Sequence, residues 1–314
     1  MHKTALLFAG QGAQVVGMGR DLAASFPSAG AWFDRANSEL GCDLAAICFH
    51  GPEDQLTRTE YAQPGIFLVS WVAFQLLRER VPVLDFGATA GLSLGEFTAL
   101  TAAGAMRFED GLRVVRQRGR FMQEACEATR GGMAAIIGLD ETVAREVCTE
   151  AGVELANLNC PGQIVISGEL EKIAKAVELA KDKGAKRAIP LPVAGAYHSP
   201  LMATAKVKLK AELEKVLLFP PTITVISNVT ARPYDTGEIS SRTEMSVNLV
   251  EQVTSSVRWE ESMRYLLAQG FTRFIELGPG TALSGFMKRI DKNARMFNVG
   301  DVPSLEETVK AIGT

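Results

Sequence analysis

The residues Gly91-Leu92-Ser93-Leu94-Gly95 place a serine between two glycines, directly after one short apolar run and directly before a helical one. That context is what a nucleophile elbow requires. The turn is so sharp that its flanking positions must be small, and the serine stands exposed at its tip. The next backbone N–H, that of Leu94, then points toward an oxyanion, and the helix behind it adds the positive end of its dipole. A serine nucleophile needs a base, usually histidine. The chain has three. His2 sits at the terminus, His50 precedes Gly51-Pro52 in an expected loop, and His198 lies in Ala196-Tyr197-His198-Ser199-Pro200. Elimination favours His198. No histidine follows it, so the Ser, acid, His order of a standard esterase or lipase, with histidine near the C-terminus, is not matched. An acidic third member is not required, because a backbone carbonyl can hold Nδ1–H and fix the imidazole tautomer.

Other chemistries fall away. Gly10-Gln11-Gly12 follows the apolar run Lys3–Phe8, but the dinucleotide pattern GxGxxG fails at Val15, and no GxxxxGK[ST] occurs. The five cysteines (Cys42, Cys48, Cys126, Cys148, Cys160) are odd in number and lack CxxC spacing. They read as reduced, mostly buried thiols of a cytoplasmic protein. No residue spacing suggests a metal. Lys and Arg total 33 against 36 Asp and Glu, so no global basic field exists to hold a nucleic acid. The run Ala5–Ala9 is too short for a signal-peptide core. Ile66–Leu77, broken by Ser70 and Gln75, falls short of a membrane span and reads as a buried helix starting after Pro64.

The elements that must position these residues follow from periodicity. With 314 residues, 47% hydrophobic and 22% charged, the chain can bury a large core as one large domain or two modest ones. Strands are expected at Lys3–Phe8, Phe86–Ala90, Ile223–Val229 and Phe274–Leu277, with helices at about 28–40, 65–79, 95–104 and 109–127. Strands alternating with helices imply an α/β sheet covered on both faces. From Gly131 to Pro192 the order is strand, helix, strand, strand, helix, strand, the ferredoxin-like βαββαβ. The expected fold is therefore α/β: a larger α/β-hydrolase-like catalytic domain over 1–129 and 198–314, with a ferredoxin-like small domain inserted over 130–197.

The ordered motifs resemble, essentially end to end, the malonyl-CoA:acyl-carrier-protein transacylases of bacterial type II fatty-acid synthesis. They are also similar to the acyltransferase domains of polyketide synthases. The motifs are Phe8 to Gln14, Gly91 to Glu96, Arg118-Gly119 with Met122-Gln123, Asn159 to Gln163, Ile166 to Gly168, His198 to Met202, Asn248 to Gln252, and Glu276 to Gly280. The resemblance implies Ser93 as nucleophile, His198 as its base and Gln252 as the donor of the carbonyl that orients the histidine. It implies Gln11 and the Leu94 N–H as the oxyanion hole, and Arg118 as partner of the substrate's free carboxylate. Asn159 and the Met122-Gln123 pair belong near the substrate. One position departs from the family pattern: Leu92 stands where a histidine is usual, which bears on packing around the acyl group.

The same resemblance implies transfer of a malonyl group from malonyl-CoA to the phosphopantetheine thiol of acyl-carrier protein, by a ping-pong route through malonyl-Ser93. No bound cofactor, nucleic acid or membrane partner is expected, and the protein is expected to be a cytoplasmic monomer. Carrier proteins are acidic, so a basic surface should flank the cleft. The runs Lys181–Arg187 and Lys206–Lys215 qualify, with Lys186 and Arg187 as candidates. Two other classes use part of the same pattern: a serine thioesterase or esterase with this dyad, and a non-catalytic module that presents carrier protein to a larger synthase.

Overall fold

Leu6 and Phe8 pack into one hydrophobic cluster and Ala5 and Leu7 into another, and all four are fully buried. A strand with both alternating faces buried belongs to the centre of a sheet covered on both sides. The computed structural model, which describes residues 3–312, places it there; His2 lies outside the described residues. The strands in chain order are β1 (Lys3–Phe8), β2 (Ala88–Gly91), β3 (Gly131–Ile137), β4 (Glu154–Cys160), β5 (Gln163–Glu169), β6 (Arg187–Pro190), β7 (Thr224–Val225), β8 (Phe271–Leu277) and β9 (Arg295–Val299).

Five of them form a parallel sheet in the order β7-β2-β1-β8-β9. The other four form an antiparallel sheet in the order β4-β5-β3-β6. The helices Glu141–Ala151 and Leu170–Asp182 pack on the small sheet around a core of their own that includes Ile136, Ile166 and Ile173. Met133, Ala156 and Val165 instead join the main core. A backbone bridge ties the two sheets' surroundings together: Val257 N–H donates to Ala156 O at 2.8 Å, and Leu158 N–H donates to Val257 O at 2.9 Å.

Several expected bounds shift. The buried helix does not start after Pro64; it runs Thr59–Arg80 and carries Pro64 inside. Its walls explain why this holds, since nearly every residue from Ala62 to Leu77 is buried and tertiary packing outweighs the lost bond. His50 is not in a loop but ends the helix Leu44–His50. Of Ile223–Val229 only Thr224 and Val225 pair as a strand. Strand β9 was not foreseen, because an edge strand that is only half buried leaves a weak alternation. All five cysteines are free, and all but Cys42 are buried. Burial pushes the Cys48 and Cys148 thiols up to about 12, which removes them as nucleophiles.

Candidate active site

The three glycines that shape the site are fixed by close backbone approach. A Cβ on Gly91 would sit 1.9 Å from the Gly95 carbonyl, one on Gly95 would sit 2.3 Å from Phe8 O, and one on Gly10 would sit 2.6 Å from Leu92 O. The β2 turn can thus press against the end of β1 only with these residues. Ser93 at its tip has φ 53°, a left-handed conformation rare for a side-chained residue. Asn228 holds it there: its Oδ1 accepts from Ser93 N–H at 2.7 Å and its Nδ2 donates to Gly91 O at 2.8 Å.

Ser93 Oγ lies 2.9 Å from His198 Nε2, and His198 Nδ1 lies 2.8 Å from the Gln252 carbonyl. A carbonyl can only accept, so Nδ1 carries the proton and Nε2 presents its lone pair to the serine hydroxyl. His198 also has a left-handed backbone, φ 58°. Burial, with the Arg118 charge behind it, lowers His198 from 6.5 to about 4, so the imidazole is neutral at ordinary pH. Gln252 is the last residue of the helix Glu238–Gln252, which brings its carbonyl to the histidine.

Arg118 is buried while Arg113 and Arg120 on the same helix, Phe108–Ala128, are exposed. Gly119 explains the difference. A Cβ there would meet Thr59 O at 2.3 Å, so the two long helices cross in near backbone contact and carry the adjacent arginine inward. Its Nη1 donates to Gln63 Oε1 at 2.7 Å, and its Nη2 donates to Gln252 Oε1 at 2.8 Å and Ser93 Oγ at 3.0 Å. Its Nε has no hydrogen-bond partner among the described residues. Burial lowers the guanidinium to about 10, which leaves it charged at neutral pH.

A cavity of about 560 Å³ opens in front of Ser93 and His198. It lies at the C-terminal ends of β1, β2 and β8, where the chain order of the parallel sheet reverses, and the small sheet forms its other wall. Gln11, Leu92, Met122, Asn159 and Tyr197 line it. The Gln11 and Leu94 N–H groups take no backbone acceptor among the described residues. Asn159 is buried, and its Oδ1 has no hydrogen-bond partner among the described residues. Gln123 turns away, accepting from Thr59 Oγ1 and donating to Glu127.

Lys186 and Arg187 are exposed at the start of β6, the strand end remote from Leu191, Pro192 and Val193 at the cavity. Lys181, Lys183, Lys206, Lys208 and Lys215 are each engaged by a nearby glutamate. Four side chains that the sequence reading did not single out for the site also converge: Gln63, Glu96, Asn228 and Tyr234. Glu96 lies within the Gly91-to-Glu96 motif. The other three sit on segments far from the elbow, with no spacing to signal them.

Such a site can activate a serine hydroxyl, hold an oxyanion and receive an anion beside the nucleophile. The sequence model of the acyl transferase domain family matches residues 5–305, and the chain belongs to that family. It is 44% identical to the malonyl CoA-acyl carrier protein transacylase of Bacillus subtilis, over 99% of this chain and 98% of that one. The solved malonyl CoA-acyl carrier protein transacylase of Coxiella burnetii superposes with a TM-score of 0.93 at 34% identity, covering 100% of this chain and 98% of its own. A malonyl-transacylase solved in complex with a type II polyketide acyl-carrier protein superposes at 0.92 with 36% identity, covering 98% of this chain and 99% of its own. Within the family the chain falls among the malonyl CoA-acyl carrier protein transacylases, and it is an acyltransferase.

Proposed function

We propose that the protein moves a malonyl group from malonyl-CoA to the phosphopantetheine thiol of an acyl-carrier protein through a malonyl ester on Ser93. The observation that carries this reading is the chain Gln252 O, His198, Ser93 Oγ, with the Arg118 fork on the same oxygen. His198 Nε2 takes the Ser93 proton as Oγ bonds to the thioester carbon. The N–H groups of Gln11 and Leu94 hold the resulting oxyanion, each such donor being worth about 10²–10³ in rate. The C–S bond then breaks, and His198 returns the proton to the leaving thiol. In the second half the carrier's thiol gives its proton to His198, its sulfur bonds to the ester carbon, and the C–Oγ bond breaks with the proton back on Ser93. CoA and phosphopantetheine enter as substrates.

Arg118 pairs with the free carboxylate of the malonyl group, for which its planar fork is suited. Asn159 and Met122 contact the acyl or pantetheine chain from the cavity wall. Lys186 and Arg187 form part of the carrier-protein surface. The small sheet and its helices, over 130–197, act as a ferredoxin-like domain set into a hydrolase-like one over 1–129 and 198–314, and its wall over Ser93 narrows access for water.

The test is a partition. With malonyl-CoA and holo-carrier protein, malonyl-carrier thioester should accumulate in step with released CoA. Free malonate formed at a rate indifferent to carrier protein would make the protein a hydrolase, and no turnover of either kind would make it a carrier-binding module.

A further inference from the structure

Arg118 is fully buried, yet its hydrogen-bond partners, Gln63 Oε1, Gln252 Oε1 and Ser93 Oγ, are all neutral. A buried cation of this kind is costly without a counter-charge nearby. Glu96 stands one amide away. Gln252 Oε1 accepts from Arg118 Nη2 at 2.8 Å, and Gln252 Nε2 donates to Glu96 Oε2 at 2.5 Å. Glu96 is itself fully buried, one position past Gly95, and its Oε1 accepts from the Tyr234 hydroxyl at 2.5 Å and from Asn228 N–H at 3.2 Å. Cation and anion are therefore joined through an amide dipole aligned with both. A direct carboxylate fork on Arg118 would occupy the edge that faces Ser93, and the spacer leaves that edge available.

We propose that Glu96 is the resting counter-charge of Arg118 and takes up a proton when the carboxylate of a malonyl group arrives there. It is thus a positioning residue for the reaction proposed above, and the inference rests on that reading. Two anions sharing one buried cation repel, and protonating the weaker acid relieves them. Burial already raises Glu96 from 4.5 to about 7, against the pull of Tyr234, Gln252, Asn228 and Arg118. The charged or titratable groups facing it are Arg118 and Tyr234; Glu244 bears on Tyr234, and neutral His198 adds no charge. The proton comes from solvent and lands on Oε1. The new O–H donates to the Tyr234 oxygen, and Tyr234 turns its own hydroxyl proton to the Ser227 side chain, which lies within its reach. No bond in the malonyl group changes in this step, and a neutral acyl group brings no second anion to drive it.

The full-length protein is mixed with malonyl-CoA in weak buffer at about pH 8, and protons taken up are counted against malonyl adduct measured by intact mass; roughly half to one proton per adduct is expected. Glu96→Gln should form the adduct more slowly and without the uptake, and serves as the blank for the released CoA thiol. Equal uptake in the variant, or adduct without uptake in the wild type, overturns the proposal. Absence of any wild-type adduct overturns instead the reading of Ser93 as nucleophile. Should Glu96→Gln fail to fold, infrared difference spectra of the wild type with isotopically labelled malonyl-CoA read the same event, since the label shifts the ester carbonyl away. A new protonated-carboxyl band from the protein is expected, and adduct without that band overturns the proposal.

Discussion

Replacing Arg118 by methionine removes the guanidinium while keeping much of its volume in a helix whose path is set by Gly119 against Thr59. Two losses follow, and they separate by substrate. The first falls on malonyl alone. If its carboxylate pairs with the fork, removing one partner of a buried pair costs about 3–5 kcal/mol, or roughly 200- to 5,000-fold in kcat/KM. The second falls on every thioester. Ser93 Oγ loses its 3.0 Å donor, and Gln63 Oε1 and Gln252 Oε1 lose theirs. That costs about 1–3 kcal/mol, roughly 5- to 150-fold at 1.36 kcal/mol per tenfold. The assay is kcat/KM for malonyl-CoA and acetyl-CoA with the same carrier protein, wild type against Arg118→Met. The common loss cancels in the comparison, so the malonyl value should fall roughly 200-fold or more further than the acetyl value, the smallest gap the buried-pair cost gives. Equal falls would make Arg118 a partner of the serine, with no hand in choosing the acyl group.

Further outcomes follow from the same geometry. His198 must be neutral to accept a proton, so kcat/KM should fall only as pH drops through about 4; an acid limb near the ordinary 6.5, in a pH–rate profile, would contradict the burial argument. The same lowered pKa contributes stability that is present above 6.5 and lost as pH falls through about 4. The raised pKa of Glu96 acts oppositely, its contribution being present below 4.5 and lost as pH rises through about 7. Each is worth about 3 kcal/mol, so they cancel between these limits. Denaturant titrations of His198→Gln should uncover stability that falls as pH rises from 5 to 7 by about 2 kcal/mol relative to wild type, and an unchanged pH dependence would count against it. Gly91→Ala must push a Cβ into the Gly95 carbonyl at 1.9 Å. It should cost at least about 3 kcal/mol in unfolding free energy, the upper range for overpacking, and a neutral result would mean the elbow is looser than described.

What was legible in the sequence was local. The elbow could be read because its steric demand forces glycine at positions 91 and 95, and the β-α-β-β-α-β order could be read because each element of the small sheet has clean periodicity. Arg118 was singled out only through the resemblance; the close crossing at Gly119 that carries it inward shows in the structure. The partners that hold the site were not legible. Asn228 reaches Ser93 across 135 residues and Tyr234 reaches Glu96 across 138, and a side-chain bond between remote segments leaves no trace in spacing. Gln63 was hidden for a different reason, since it precedes Pro64, after which the helix was read to start, whereas the helix begins at Thr59 and includes it. The half-buried edge strand β9 lacked the alternation that marks β1.

Intact mass spectrometry after brief mixing with malonyl-CoA, with peptide mapping, shows whether Ser93 carries the acyl group. One malonyl group is expected on Ser93, absent in Ser93→Ala and discharged when holo-carrier protein is added. A malonyl group on another residue, or turnover that survives Ser93→Ala, would contradict it.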